Sequence, residues 1–213
     1  MITENIVSVA ASYTYLFQVG YTVVTLSTTT IRTPMGESVE AYNTACMELW
    51  YCSDGYYRTY EGRLYVDIPS AYITTLNNSN YDTYGLQPIA NPTVKYNCHS
   101  YAWYSQSTSN PYWVNDPTPF LTDGSYYVVN KTNAGVGDRV VYYNSVNGTY
   151  SQPNHSAVIT SYTNTSNSQR EFTLKSKWGM SGLYQHSLTN CPYYYYHGEN
   201  YTSIYDTRFY RRS

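Results

Sequence analysis

Charge is what this sequence has least of. Lys, Arg, Asp and Glu make up 12% of its 213 residues, about half the roughly 25% usual in soluble domains, and the net charge is −2. No basic stripe is present to neutralise phosphates, so nothing supports binding to nucleic acid. A membrane span is missing too. Residues 5–31 carry no charge except at their flanks, but Glu4 rather than a basic residue precedes them, and Ser8, Ser12, Thr14, Gln18 and Thr22 interrupt a run that would need about 20 mostly apolar residues to span. Cysteine is scarce, at four residues. No CxxC pairs with another, and the four histidines are too scattered along the chain to suggest zinc, so neither metal nor organic cofactor is expected. Cys46 and Cys52, in CMELWYC, either close a small ring with demanding geometry or stay free. Cys191, beside Pro192 in NCPYYYYHG, reads as a bystander.

What the chain has in excess is tyrosine, 30 residues. Tyrosine suits pleated, half-buried surfaces and keeps a polar tip, so the composition leans to β structure. Cross-strand aromatic pairs would use many of these rings, and the remainder could form a surface that stacks on glycans or another protein. From Tyr13 to Val23 the residues mostly alternate with the two-residue period of a strand.

Punctuation divides the chain in three. Residues 1 to about 66 read as short strands joined by turns such as TPMGE and SDGYY, and 67–91 as an irregular, Asn-rich connector ending at Asn91-Pro92. Together, 1–91 form a β-rich N-terminal extension and connector. From 92 to 213 the pattern is one short helix over about 98–106, then TDGSYYVVN, GVGDRVVYYN, HSAVITSYT, EFTLKSKW and GLYQHS as strands, an α+β order with an antiparallel sheet. NTSNSQ at 164–169 reads as a hairpin loop.

The chemistry concentrates at Cys98. Asn97 is a capping residue, and a thiol just inside a helix start receives the field of unpaired amides that favours its thiolate. The Cys98 amide could also donate to an oxyanion formed by attack on a carbonyl. His155, leading a strand 57 residues later, is the candidate base. Its orienting partner would come from the next strand, where alternation lets only one of Ser176 and Lys177 face it, or from His186. His99 diverges from Cys98 by about 100° on a helix and is placed at the pocket rim. Trp113 and Trp178 are candidate cleft walls, whereas Trp103 is expected in the core.

The succession NC at a helix start, GDRVVYY, HSAVI and a strand ending in Trp-Gly resembles papain-like bacterial cell-wall hydrolases of the NlpC and CHAP groups. YNCHSYAWY with SKWG and GLYQH is similar to a branch of secreted proteins from Gram-positive bacteria, and the likeness runs from about Tyr96 to Cys191. It implies a papain-like fold, with the nucleophile's helix packed on an antiparallel sheet. By position, it implies Cys98 as nucleophile, His155 as base and Gly137-Asp138 as a structural turn. Family members place His, Asn, Gln or Glu on the strand after the histidine strand. This chain has Lys175, Ser176 and Lys177 there, and Ser176, whose hydroxyl can accept an imidazole N–H, is the choice for third residue. Cys-His-Ser also replaces the usual Cys-Ser-Gly.

The expected function is a cysteine amidase or peptidase acting on peptidoglycan stem peptides through an acyl-enzyme, monomeric and either secreted or at the cell surface, any signal peptide being absent from this chain. Two alternatives are a silent, tyrosine-rich glycan- or protein-binding module and a transglutaminase-like acyl-transfer enzyme.

Overall fold

A computed structural model describes residues 21–51, 67–68, 70–146, 149–165, 169–194 and 207–213. The described chain is α+β, rich in strands and poor in helix, and its strands form two antiparallel sheets. The first sheet has three strands, β1 (Tyr21–Arg32), β2 (Ser38–Tyr51) and β4 (Tyr112–Trp113), in the order β1-β2-β4. The β1–β2 hairpin closes at TPMGE. There Gly36 takes φ +93°, the Thr33 and Gly36 amides donate to the Glu37 and Thr33 carbonyls, and the Glu37 amide donates to Thr33 Oγ1. A positive φ is what a tight reversal asks of glycine.

The second sheet carries the candidate chemistry. It contains β3 (Pro88–Ala90), β5 (Tyr126–Val129), β6 (Arg139–Val146), β7 (Thr149–Asn164), β8 (Arg170–Lys177), β9 (Leu183–Ser187) and β10 (Thr207–Arg212), in the order β3-β9-β8-β7-β6-β10-β5. Its centre is buried on both sides, so the strands there read as apolar runs more than as alternation. On one face Val141, Val158, Leu183 and Tyr210 join Tyr96, Tyr101, Ala102 and Trp103, together with Ile31, Val39 and Ala41 from the β1–β2 hairpin. On the other, Val140, Tyr142, Ala157, Ile159, Phe172, Leu174, Phe209 and Cys191 form a second cluster. Core packing is thus continuous from the N-terminal hairpin to the large sheet, and β3 supplies that sheet's edge from within the connector.

Two elements depart from the sequence reading. The connector is not irregular: Ser70–Tyr84 form α1. Ser, Thr and Asn are weak helix formers and offer no broad apolar stripe, so local preference does not reveal this helix. Tertiary contact holds it instead. Leu76 and Asn80 are buried; Asn80 Nδ2 donates to the Leu76 carbonyl at 3.1 Å and to Tyr184 Oη at 2.8 Å. Gly85, at φ +68°, ends the helix with its amide on the Tyr81 carbonyl. The second is β10, the C-terminal TRFYRR, which inserts between β6 and β5. Arg211 ties it down through a two-pronged contact with Asp138, at 3.0 and 2.8 Å.

Asp138 belongs to the expected Gly-Asp turn. Gly137 has φ +88° and its amide donates to the Ile159 carbonyl, while the Asp138 carboxylate accepts the Gly135 amide. Among the described residues no helix is long and apolar enough to cross a membrane.

Gly182, between Trp178 and β9, has no room for a side chain. A Cβ there would lie 2.8 Å from the Ala90 carbonyl oxygen and 2.9 Å from the Tyr184 ring. Gly182→Ala is expected to loosen the β3–β9 edge and cost about 1–3 kcal/mol, read as a lower urea midpoint at unchanged m-value.

Candidate active site

Asn97 organises the head of the short helix. Its Oδ1 accepts the Ser100 amide at 3.0 Å, as a cap does, and the Val114 amide at 3.2 Å, while Nδ2 donates to the Val114 carbonyl at 2.6 Å. Cys98 and His99 are helical, and Ser100–Tyr104 continue as one wide π-type turn, α2, closed by the Ser105 amide on the Ser100 carbonyl. The helix therefore starts where the sequence indicated and stops two residues sooner.

Cys98 is 6% exposed. Burial pushes its thiol up to about 11, against the opposing pull of the Ser156, His99 and Cys98 amides on the sulfur and of the Lys177 cation. At rest it is a protonated thiol.

The strand beneath decides what faces it. Successive side chains of β7 point to opposite faces. Ser156 turns to α2, where its Oγ meets His99 Nδ1 and Trp103 Nε1–H, both at 2.8 Å. His99 also bonds the Pro153 carbonyl; burial pushes it down to about 4, so it is a neutral core group instead of a rim residue. Trp103 packs among Phe120, Tyr126 and Tyr210, as expected of a core ring.

His155 turns the other way. It is fully buried, stacks on Tyr193 at 4.3 Å with 6° between planes, and leans against Tyr142. Neither ring nitrogen has a hydrogen-bond partner among the described residues, Cys98 included. Burial, then the neighbouring His186 and His99, hold it well below the usual imidazole range. The expected Cys98–His155 hydrogen bond is therefore not made.

Alternation on β8 separates the two other candidates in the same manner. Ser176 lies on the His155 face but serves His186: its Oγ meets His186 Nε2 at 2.7 Å and accepts Trp178 Nε1–H at 2.9 Å. His186 Nδ1 faces the Ser187 carbonyl at 2.8 Å, which can only accept, so Nδ1 carries the proton and Nε2 accepts from Ser176. Burial pushes His186 down to about 4. Lys177 lies on the Cys98 face, fully buried, with Nζ donating to the Thr93 and Gly179 carbonyls at 2.8 and 2.5 Å and standing 5.2 Å from the centre of the Tyr96 ring. Burial pushes the amine down to about 7, opposed by the negative charge of Asp67.

The remaining candidates are placed elsewhere. Trp113 is part of β4, with Nε1–H on Asn115 Oδ1, and Trp178 packs against Tyr184 and Leu86. Cys98 and Cys191 are free thiols, and the Cys46–Cys52 pairing lies outside the described side chains. Two of the histidines that are scattered along the chain meet in the fold. Folding brings His155 and His186 together with Cys191, their ligand atoms all within 4.8 Å of one another. Ser156, the hub beneath α2, carries almost no signal of its role. Its only signal in the sequence is its place next to His155 on a strand buried on both faces.

No family model, curated protein or solved structure matches this chain.

His99 and His186 give the fold a sign-definite response to acid. From the ordinary value of 6.5 down to about 4 the unfolded chain holds protons that these folded rings refuse, so stability rises with pH across that window and falls on acidification. Urea midpoints are expected to fall steadily as pH is lowered from 7 to 4, and His99→Gln should flatten the slope.

Proposed function

We propose that this chain is a cysteine-dependent amidase or peptidase in which Cys98 is the nucleophile and Lys177, in place of His155, takes its proton. One arrangement supports this reading above any other: a thiol at the head of a helical turn, where nearby backbone amides favour its negative charge, shares its side of the sheet with a fully buried amine. A helix carrying the nucleophile against β7 and β8 suits the papain-like arrangement that the sequence resembles.

The chemistry follows from the state of each group. Above about pH 7 Lys177 is an uncharged amine. Two N–H bonds serve the Thr93 and Gly179 carbonyls, which leaves the lone pair to accept a proton. The thiol, at about 11, stays protonated until an acyl group arrives. Attack then forms the S–C bond as the S–H proton passes to Lys177. The amides around the sulfur, that of Cys98 among them, are placed to stabilise the oxyanion. Collapse breaks the C–N bond, and the departing amine takes the proton from Lys177. Water next attacks the thioester, delivers a proton to Lys177, and releases the acid as the thiol recovers it.

The substrate class, an amide bond in peptidoglycan stem peptides acted on outside the cell, comes from the resemblance of the Cys98 and His155 segments to cell-wall hydrolases. Transfer of the acyl group to an added amine would share the first half-reaction, and product analysis separates the two outcomes.

Cys98→Ala should abolish release of new amines from purified peptidoglycan. The parent's kcat/KM should rise with pH through about 7, because the protonated lysine cannot accept the thiol proton. Undiminished amine release by Cys98→Ala, or a rate that falls as pH climbs from 6 to 8, would remove this reading.

A further inference from the structure

The structure assigns a second site to the other face of the sheet: we propose that His155, His186 and Cys191 bind one thiophilic transition-metal ion, Zn2+ or Cu+. The three side chains come from β7, β9 and the turn after β9. They are 0%, 4% and 2% exposed, and their ligand atoms lie within 4.8 Å of one another.

His155 points to a missing partner. A buried imidazole nitrogen left without a hydrogen bond costs about 1–3 kcal/mol, and here both nitrogens are without one among the described residues. The ring is nonetheless held in a fixed plane by Tyr193, 4.3 Å away and nearly parallel. A coordinated cation would satisfy one of these nitrogens directly.

The surroundings of the other two groups fit the same role. His186 directs Nδ1–H to the Ser187 carbonyl, the outer contact that orients a ligating histidine and leaves Nε2 free for metal. Nε2 now accepts from Ser176, whose oxygen also holds the Trp178 N–H. Rotation of the Ser176 hydroxyl proton would release the imidazole while keeping the Trp178 bond. The Tyr193 amide faces the Cys191 sulfur, a donor that suits a bound thiolate, and the Tyr142 phenol, which donates to the Leu188 carbonyl at 3.1 Å, lies beside it.

The donor set selects the ion. Two imidazoles and a thiolate are soft ligands that suit Zn2+ and Cu+ and disfavour Mg2+ or Ca2+. Metal bonds of about 2.0–2.3 Å place donors of one tetrahedral ion roughly 3.3–3.6 Å apart, so donors already within 4.8 Å of one another have little distance to close. Cu+ would give a neutral three-coordinate centre. Zn2+ would add a positive charge and call for a fourth ligand.

The site is independent of the proposed hydrolysis, and one set of variants keeps the two apart. The full chain, stripped with chelator and reduced, is titrated with Co2+ as the optical stand-in for Zn2+. Separately, without oxygen, it competes with a chromophoric chelator for Cu+. One equivalent of either ion is expected, with a thiolate-to-cobalt charge-transfer band in the Co2+ arm. Which arm binds more tightly identifies the ion. Cys191→Ser should weaken binding at least 100-fold and lose the band, whereas Cys98→Ser should retain both. Peptide mapping after alkylation of the parent gives a readout that needs no variant: the bound ion should protect Cys191 and leave Cys98 unprotected. Absence of binding in both arms, a band that survives Cys191→Ser, or protection of Cys98 in place of Cys191 would overturn the proposal.

Discussion

Everything specific about this molecule depends on the two-residue period of β7. His155 and Ser156 are neighbours in sequence, and the pleat sends them to opposite faces of a sheet buried on both sides. Tyr142 and Val141, their partners on β6, follow the same division. Ser156 closes a neutral hydrogen-bonded group with His99 and Trp103 under the short helix, and His155 goes to the side of Tyr193, His186 and Cys191. A shift of one residue in this strand would exchange the two sets.

The sheet thus divides the titratable groups into two kinds of environment. On the α2 side, burial pushes the Cys98 thiol up to about 11 and the Lys177 amine, bonded to the Thr93 and Gly179 carbonyls, down to about 7. Behind the sheet, aromatic rings enclose histidines that burial keeps uncharged. Low dielectric acts on both faces. Burial disfavours the charged form in both cases, the ammonium of Lys177 on one face and the imidazolium of His155 on the other.

Much of this frame was legible in the residues. Asn97 as cap, Cys98 as first helical residue, Gly137-Asp138 as a turn and the five strands from β5 to β9 all carry local signals, because a cap, a left-handed glycine and an apolar run act over a few residues; β7, however, begins at Thr149, so His155 lies within its strand and does not lead it. What was not legible depends on contacts distant in sequence. α1 is held by Asn80 on Tyr184 and not by helix propensity. β10 has its place because Phe209 and Tyr210 fill the two cores, its backbone pairs with β5 and β6, and Arg211 meets Asp138. The face taken by His155 could not be read from HSAVIT, since Ser, Val and Thr on one side and His, Ala and Ile on the other are equally acceptable to a strand covered twice. For the same reason the convergence of His186 and Cys191 on His155 has no sequence signature.

The claim on which the account rests is that the proton acceptor for Cys98 comes from its own side of the sheet. A side-by-side assay of Lys177→Met and His155→Gln on purified peptidoglycan, with each variant's fold checked by near-ultraviolet circular dichroism, tests it most directly. The account predicts a loss of at least about 100-fold in kcat/KM for Lys177→Met and a rate within a few-fold of the parent for His155→Gln. Full activity in Lys177→Met with collapse in a folded His155→Gln would contradict it.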